Sequence, residues 1–180
     1  MIQTQRLIIR HFRAEDFSGL FDYLSNPEVY RFEPGDSITL EEAKTLAAQR
    51  AESSEFWAVA LKETDKIIGH LYFHQIEPQA LKTWELGYIF NPAYQHQGYA
   101  AEAAGALVRY GFAKWEIHRV VAYCNPKNTA SWKLMERIGM RREGYLRKNI
   151  FFQTDVVDEP IWLDTLAYAI LEEDLAPAEV

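Results

Sequence analysis

The chain has 180 residues, of which 48% are hydrophobic and 14% aromatic, and its formal net charge is −7. This length and composition exclude a disordered chain and allow one domain with a full core. No apolar stretch approaches the ~20 residues of a membrane span, so no membrane partner is expected. The acidic balance argues against nucleic acid and favours a cationic partner. A single cysteine excludes an internal disulfide and favours a cytoplasmic location.

The first half of the chain predicts two helices between strands. In order, the predicted elements are a strand at 6–12, a helix at 14–26, a helix from 39 to about 51, and strands at 56–61 and 67–74. Thr39 and Glu42 form the spacing of a capping box at the start of the second helix. The two later strands flank the polar turn 62–66 and therefore predict a hairpin.

The second half alternates strands with helices. The predicted elements are a strand at 83–90, a helix from 99, a strand at 119–124, a helix at 129–138 and a closing strand pair within 140–152 and 159–171. Asn128 is a capping residue for the last helix and Gly139 ends it. The order indicates a mixed α/β class with a central sheet, in a single domain spanning 1–180. The acidic, proline-containing end, 172–180, is expected to be a loose tail.

The stretch "NPAYQHQGYAAEAAGALVRYGF" (91–112) joins a polar loop to a helix with small residues on one face. These are Ala100, Ala103, Ala104, Leu107, Val108 and Gly111, at helical spacing. Small residues let a helix lie close to a sheet. The N–H groups of the first turn have no partner inside the helix, so a glycine-led start can hold a phosphate. The alternative is an ordinary strand-to-helix connection in which Gly98 supplies a bend. Neither a P-loop nor a G-x-G-x-x-G pattern is present.

A second segment, "CNPKNTASWKLMERIGM" (124–140), also runs from a strand end into a capped helix. Asn128 fits a simple cap, and Asn125 and Ser131 would then have no further role. The alternative is that a second ligand-binding segment follows this helix start.

Together these segments resemble the GNAT N-acetyltransferases. Gln95-His96-Gln97-Gly98-Tyr99-Ala100 matches the Q/R-x-x-G-x-G/A acetyl-CoA motif, and Asn125-Pro126-x-Asn128-x-Ala130-Ser131 followed by 134–140 looks like its second half. Thr4-x-Arg6-Leu7-x-x-Arg10 with Glu15-Asp16 resembles the branch that includes the ribosomal-protein N-terminal acetyltransferases RimJ and RimL. The similarity runs from about Thr4 to Leu171, and Ala100 stands where glycine is commoner.

The resemblance implies a fold and a cofactor. The fold is a mostly antiparallel seven-stranded sheet that splays between its fourth and fifth strands, with about four helices. The cofactor is acetyl-CoA, whose pyrophosphate is expected at the N–H groups of 97–100, aided by the helix dipole. Its pantetheine is expected between the splayed strands, paired with backbone near Ile89 and Phe90. The full set of expected cofactor contacts is Ile89, Phe90, Gln95, His96, Gln97, Gly98, Tyr99, Ala100, Asn125, Asn128 and Ser131.

Acetyl transfer needs a neutral amine, so a proton must leave an α-ammonium with pKa ~7.7–8.0 or a lysine with pKa ~10.4. Glu85, in "WELGY", is the predicted base; the alternative is a solvated or arginine-paired strand carboxylate. Backbone N–H groups can stabilise the oxyanion. Ser131 is predicted to contact the thiol and deliver its proton. Many family members use a tyrosine near this helix, and none lies between Cys124 and Tyr145, which leaves the acid open.

Two further groups of residues are expected to stay out of the chemistry. Cys124, with His118 nearby in sequence, would have to act as an acetyl-cysteine nucleophile, whereas direct transfer is the family rule and a buried strand cysteine is usually inert. His70 and His74 share a strand face but lie ~13 Å apart at ~3.3 Å per residue, too far to chelate one ion. No metal is expected.

The acceptor is expected on the side opposite the cofactor, with Tyr30, Phe32, Trp57 and Tyr72 as candidate walls. By resemblance, the first choice is the N-terminal α-amine of a protein or peptide. A small-molecule amine, such as a polyamine, amino sugar or antibiotic, is the alternative acceptor. The alternative of another class is an acyl-CoA-binding module without catalysis. A homodimer is left open.

Overall fold

In the computed structural model, which describes residues 1–175, the strands form one eight-stranded sheet. The strands are β1 (Ile2–Gln3), β2 (Leu7–His11), β3 (Phe56–Leu61), β4 (Ile67–Gln75), β5 (Thr83–Phe90), β6 (Arg119–Cys124), β7 (Arg141–Ile150) and β8 (Leu163–Ile170). The α-helices are α1 (Phe17–Leu24), α2 (Leu40–Ala51), α3 (Tyr99–Lys114) and α4 (Thr129–Arg137). The spatial order is β1-β2-β3-β4-β5-β6-β8-β7, and only β5 and β6 run parallel.

The predicted mixed α/β fold is therefore confirmed, but the predicted count of seven strands is one short. The additional strand is β1, in which Ile2 lies opposite Ile9 of β2. Two residues are too few to give an alternating pattern in the sequence. The first helix also begins later than predicted, because residues Ala14–Asp16 form a 3-10 turn before α1.

Two hydrophobic layers cover the two faces of the sheet. Helices α3 and α4 cover one face, and α1 and α2 cover the other. The predicted stripe of small residues on α3 is buried from Ala103 to Gly111. At Gly111 an added Cβ would lie 2.9 Å from Ile117 and 3.0 Å from Phe73, so only glycine allows this approach of helix to sheet. No helix among residues 1–175 is long and apolar enough to cross a membrane.

The sheet opens between β5 and β6. Their register pairs only Thr83, Trp84 and Glu85 with residues 119–121. The remaining residues of β5, 86–90, still pair with β4 on the other side. The edge of β5 that faces β6 is therefore unpaired over 86–90, as is the facing edge of β6 over 122–124. We call this opening the β5–β6 gap. The gap lies between 83–90 and 119–124, the fourth and fifth predicted strands, where the sheet was expected to splay.

Of the expected loose tail, 172–180, the structure describes residues 172–175. Glu172–Asp174 form a 3-10 turn, and Leu175 packs against the core. The carboxylate of Asp174, whose side chain is 9% exposed, forms an ion pair with Arg141. Residues 176–180 lie outside the described part of the chain.

A buried ion pair fixes the entry to α1. The guanidinium of Arg10 donates two hydrogen bonds to the carboxylate of Asp16, at 2.7 and 2.9 Å, and both side chains are 7% exposed. Asp16 also accepts a bond from the backbone N–H of Arg13 at 2.8 Å. The second arginine of the Thr4-x-Arg6-Leu7-x-x-Arg10 pattern therefore has a structural partner within six residues.

We expect Arg10→Leu to lower the free energy of unfolding by about 3–5 kcal/mol, because Asp16 would keep a buried charge without its cation. Urea unfolding followed by circular dichroism measures this loss. The control is Lys44→Ala, which removes an exposed pair with Glu41 and should cost about 0–1 kcal/mol. Equal losses in the two variants would contradict the assignment of Arg10 as a structural anchor.

Candidate active site

The loop between β5 and α3 forms one end of the β5–β6 gap. After β5, Pro92–Tyr94 form a 3-10 turn that is capped by the side chain of Asn91. Gly98 then precedes α3 with φ +81°, a left-handed conformation that glycine adopts without strain. No side chain caps α3, so the N–H groups of Tyr99, Ala100 and Ala101 have no acceptor one turn earlier. Such a helix start fits an anion.

Arg6 fastens this loop to the N-terminal strand. Its guanidinium forms an ion pair with Glu102 at 2.6 Å and donates to the carbonyl of Gln97 at 3.0 Å. It also lies 4.3 Å from the centre of the Tyr99 ring. Thr4 donates to the same Glu102 carboxylate at 2.5 Å. Because these contacts join residues more than 90 positions apart, the sequence alone did not reveal what the Thr4-x-Arg6 pattern holds.

The two glutamines of the motif have partners within the loop. The amide of Gln95 donates to the carbonyl of Phe90, and that of Gln97 to the carbonyl of Ala93, both at 3.4 Å. The exposed His96 has φ +61° and turns the chain between them. The side chains thus shape the loop, which leaves backbone N–H groups as its anion-binding groups.

Asn125 and Asn128 also have structural partners, at the start of α4. Asn125 accepts from the N–H of Lys127 at 2.9 Å, and Asn128 accepts from the N–H of Ser131 at 3.2 Å. The capping role predicted for Asn128 is confirmed. These bonds place the buried Ser131 on the first turn of α4, beside the end of β6.

A pair of hydroxyl groups lies at this wall of the gap. The hydroxyl of Tyr88 is 2.8 Å from the hydroxyl of Ser131 and donates to its carbonyl at 3.1 Å. Burial raises the pKa of Tyr88. The tyrosine hydroxyl beside α4 therefore comes from β5 and not from the segment that follows Cys124. Alternation along "WELGYIF" places Tyr88 on the face with Trp84 and Leu86, which is the signal that was available.

The thiol of Cys124 adjoins this pair. Burial raises its pKa to about 11, and a hydrogen bond with Ser131 opposes the rise only in part. At neutral pH the thiol therefore stays protonated and is a poor nucleophile.

Glu85 lies on the opposite face of β5, and it is the last residue of this strand that pairs with β6. It is partly buried and stands opposite His74 in the register with β4. Its charge contributes to the raised pKa of Tyr72, after burial and Glu55, and to that of Tyr123, after burial. The neighbours Trp84 and Leu86 point to the other face of β5 and pack in the core under α3.

A row of aromatic rings lies beside Glu85 on this face. We call the four residues Phe56, Tyr72, His74 and Glu85 the acceptor groove, because the acceptor is expected on this side of the sheet. Ring centroids lie 4.8 Å apart for Phe56 and Tyr72, and 4.4 Å apart for Tyr72 and His74. Tyr72, one of the four candidate wall residues, belongs to this row. Trp57, another of the four, is 3% exposed and belongs to the core under α3, because β3 alternates its faces.

The other two predicted wall residues lie in the segment between α1 and α2. The hydroxyl of Tyr30 donates to the carbonyl of Leu24 at 3.0 Å, which holds this segment against α1. Phe32 is partly buried. The next residue, Glu33, is partly buried as well, and desolvation raises its pKa to about 7. Sequence analysis missed Glu33, because "FEPGD" has the composition of an exposed turn.

His70 and His74, which share a strand face, have different surroundings. His70 is buried, its Nδ1 lies 2.7 Å from the Tyr23 hydroxyl, and desolvation lowers its pKa well below the usual value. It is a core residue under α1, whereas His74 borders the acceptor groove.

Comparison with known proteins agrees with this arrangement. Residues 6–141 match the acetyltransferase (GNAT) domain, so the chain belongs to the GNAT family. It is 38% identical over 174 residues to the uncharacterized N-acetyltransferase YnaD of Bacillus subtilis, covering 96% of this chain and 98% of that protein. A GNAT-family acetyltransferase structure from Bacillus anthracis superposes with a TM-score of 0.86 at 38% identity, over 96% and 98% of the two chains. The chain is an acetyl-CoA-dependent N-acetyltransferase.

More distant relatives act on two kinds of acceptor. The [ribosomal protein uS5]-alanine N-acetyltransferase of Escherichia coli is 24% identical over 187 residues, covering 98% of this chain and 93% of that one. The spermidine N-acetyltransferase of Vibrio cholerae, solved with CoA and spermine, has a TM-score of 0.77 at 17% identity, over 95% and 98% of the two chains. At that identity it shows the shared fold alone.

We expect Gly98→Asp to weaken acetyl-CoA binding sharply, because the new carboxylate would face the pyrophosphate at the start of α3. An added Cβ would lie 3.5 Å from the Arg6 guanidinium, so the new side chain has room. Isothermal titration calorimetry measures the affinity. Gly98→Asn is the matched control, since asparagine has nearly the same shape, tolerates positive φ and carries no charge. Equal affinities in the Asp and Asn variants would contradict the anion site.

We expect Cys124→Ala to keep most of the activity, because a thiol with a pKa near 11 does not supply a thiolate at neutral pH. Intact-mass measurement after incubation with acetyl-CoA should show no acetyl adduct on the wild-type enzyme. An adduct on Cys124 that transfers its acetyl group to an amine would reverse this assignment.

Proposed function

We propose that this enzyme transfers the acetyl group of acetyl-CoA directly to the N-terminal α-amine of a protein or peptide. The observation that carries the proposal is the β5–β6 gap. It has the open helix start of α3 at its mouth, a hydroxyl pair on one face and an acceptor groove on the other. A thioester in this gap would be reached by an amine from the groove while its sulfur faces the hydroxyl pair.

The proposed cofactor contacts follow the same geometry. The N–H groups of 97–100 hold the pyrophosphate, with Gln95 and His96 shaping the loop and Arg6 bracing it. The unpaired edge of β5 at Ile89 and Phe90 binds the amide groups of pantetheine, as an added strand would. Asn125, Asn128 and Ser131 form the second wall.

The proposed chemistry uses two residues from opposite faces of the gap. Glu85, at the inner end of the gap, removes a proton from the entering ammonium group, directly or through water. The neutral amine attacks the thioester carbonyl, the C–N bond forms and the C–S bond breaks. The Ser131 hydroxyl, hydrogen-bonded to Tyr88, delivers a proton to the departing sulfur, whose pKa is ~8.5 for a cysteine-like thiol. The nitrogen releases its second proton as the amide forms, and a proton returns to the Ser131 oxygen through the Tyr88 hydroxyl.

Two observations favour a peptide α-amine as acceptor. The relative that acts on a ribosomal-protein alanine spans nearly the whole chain. An α-ammonium with pKa ~7.7–8.0 also needs far less help to lose its proton than a lysine or polyamine ammonium near ~10.4. A polyamine is the second candidate, because the acceptor groove combines aromatic rings with Glu85, and the charge of Glu55 also acts on Tyr72.

An amine panel tests the acceptor. Release of the CoA thiol is followed with acetyl-CoA and, separately, with peptides that begin with alanine or serine, the same peptides blocked at the N-terminus, free lysine side chains and spermidine. We expect the highest kcat/KM for the free peptide N-termini and no turnover of the blocked ones. A preference for spermidine would move the acceptor to the small-molecule class, and no turnover with any amine would contradict acetyl transfer.

We expect Glu85→Gln to lower the rate by roughly 10²–10⁴ while leaving the fold and the acetyl-CoA affinity intact, because it removes a positioned proton acceptor. The loss should shrink as pH rises, since more of the acceptor amine is then already neutral. Profiles of kcat/KM against pH for both proteins, with the same peptide, measure this. Parallel profiles would mean that the proton leaves by another path.

A further inference from the structure

Arg50 is a buried arginine to which residues 1–175 offer no carboxylate partner. It lies in the last turn of α2 and is 8% exposed. Its Nε and Nη1 atoms are buried and have no hydrogen-bond partner in this part of the chain. Desolvation lowers its pKa, and the groups that oppose this shift are the phenols of Tyr23 and Tyr30 rather than a carboxylate. Arg10, which is buried to a similar degree, is by contrast paired with Asp16.

A buried cation without a counter-charge is costly to a fold, because the charge loses its water and gains no partner. Each guanidinium N–H group that is left without an acceptor adds to this cost. An anion that binds beside Arg50 would relieve both costs.

Arg50 stands at one end of the acceptor groove. Its guanidinium carbon lies 4.4 Å from the centre of the Phe56 ring and 5.3 Å from that of Phe12. Phe56 is a member of the groove, and its ring centre lies 4.8 Å from that of Tyr72. Glu85 lies at the other end of the same row. The groove therefore runs from a carboxylate, across aromatic rings, to a guanidinium group.

The strand register gives the length of this groove. Phe56 stands opposite Tyr72, and Tyr72 stands opposite Gly87, two residues from Glu85. Two strand spacings and a shift of two residues separate Phe56 from Glu85 by about 12 Å. The amine and carboxylate of one free amino acid are too close together to reach both ends. In an extended peptide, at ~3.3 Å per residue, the side chain of the third residue spans this distance.

We infer that Arg50 is a specificity-determining residue that binds the carboxylate of an aspartate or glutamate at the third position of the acceptor peptide. The inference rests on the proposed function and narrows its substrate to peptides with an acidic residue near the N-terminus. The α-ammonium group lies at Glu85, the peptide crosses the rings of the groove, and the acidic side chain pairs with Arg50.

A carboxylate matches Arg50 better than a neutral group does. A guanidinium group presents its donors as a planar fork, which fits the two oxygens of a carboxylate. Phe56, along which the side chain would approach, is only partly buried. The amide of glutamine has nearly the same shape as the carboxylate of glutamate, but it supplies one acceptor oxygen and no charge. Glutamine at the third position is therefore the closest uncharged comparison.

The alternative is a packing role, in which Arg50 only stacks against Phe12 and Phe56. Lys44 is a useful comparison, because it is an exposed cation on the same helix that lies 5.9 Å from the centre of the Phe17 ring. Its ammonium group has a carboxylate partner, Glu41. A packing role predicts that substitution of Arg50 changes stability without changing which peptide is preferred.

The kinetic test uses peptide amides that begin with alanine and differ only in having glutamate or glutamine as the third residue. Release of the CoA thiol gives kcat/KM for each. We expect the wild type to prefer the glutamate peptide by roughly 10–100-fold, the range for a hydrogen-bonded charged group. Glutamate at the second or the sixth position should give no such preference, because its carboxylate would not reach Arg50.

Three variants assign the preference to Arg50. Arg50→Met should use the glutamate and glutamine peptides equally well and keep the wild-type kcat/KM for the glutamine peptide. Arg50→Lys keeps the charge without the planar fork, so its preference should be intermediate. Lys44→Met, the matched control, should keep the full preference for glutamate.

Two further readouts do not depend on turnover. Because CoA carries no acetyl group, calorimetry of the CoA-bound enzyme measures peptide affinity without reaction. The glutamate peptide should bind more tightly than the glutamine peptide to the wild type, and both should bind equally to Arg50→Met. Without peptide, Arg50→Met should melt at or above the wild-type temperature, because an apolar side chain replaces an unpaired buried charge.

The outcomes separate this inference from the proposed function. A wild type that acetylates no peptide contradicts both. A wild type that acetylates both peptides with equal kcat/KM overturns the role of Arg50 and leaves the proposed function intact. An Arg50→Met variant that melts at a lower temperature and still prefers glutamate would assign Arg50 to packing and would also overturn the inference.

Discussion

The short pairing between β5 and β6 is the constraint on which the rest of the structure depends. Three residues of each strand pair, and the strands then separate. Backbone groups along a strand edge require hydrogen-bond partners, so the gap is a place where a ligand with amide groups can bind as a strand would. Each strand is followed in the chain by a helix start, one led by Gly98 and the other capped by Asn128.

Charge is divided between the two ends of this gap. The chain carries a net charge of −7, yet acetyl-CoA is strongly anionic. At the mouth, the positive end of the α3 dipole is left open, while the charges of Arg6 and Glu102 balance each other in an ion pair. The carboxylate of Glu85 lies instead on the opposite face of β5, beside the row of Phe56, Tyr72 and His74. This division suits an anionic acetyl donor and a cationic acceptor.

Local patterns in the sequence predicted most of the fold and the loop of the site. The capping box of Thr39 and Glu42 is present, with each side chain bonded to the backbone N–H of the other. The small-residue face of α3 is buried as expected. The failures are residues whose role depends on distant partners. Trp57 was assigned to the acceptor wall because nothing local indicates which face of β3 is the core. The contact of Tyr88 with Ser131 forms only when the fold brings β5 and α4 together.

Amide hydrogen exchange with two ligands tests most directly whether the β5–β6 gap is the cofactor site. ADP carries the pyrophosphate without pantetheine, whereas CoA carries both. The account predicts that ADP protects amides only near 97–101 at the start of α3. CoA should protect these and also the unpaired edges at 86–90 and 122–124. Protection by CoA that leaves both strand edges unchanged would contradict the account.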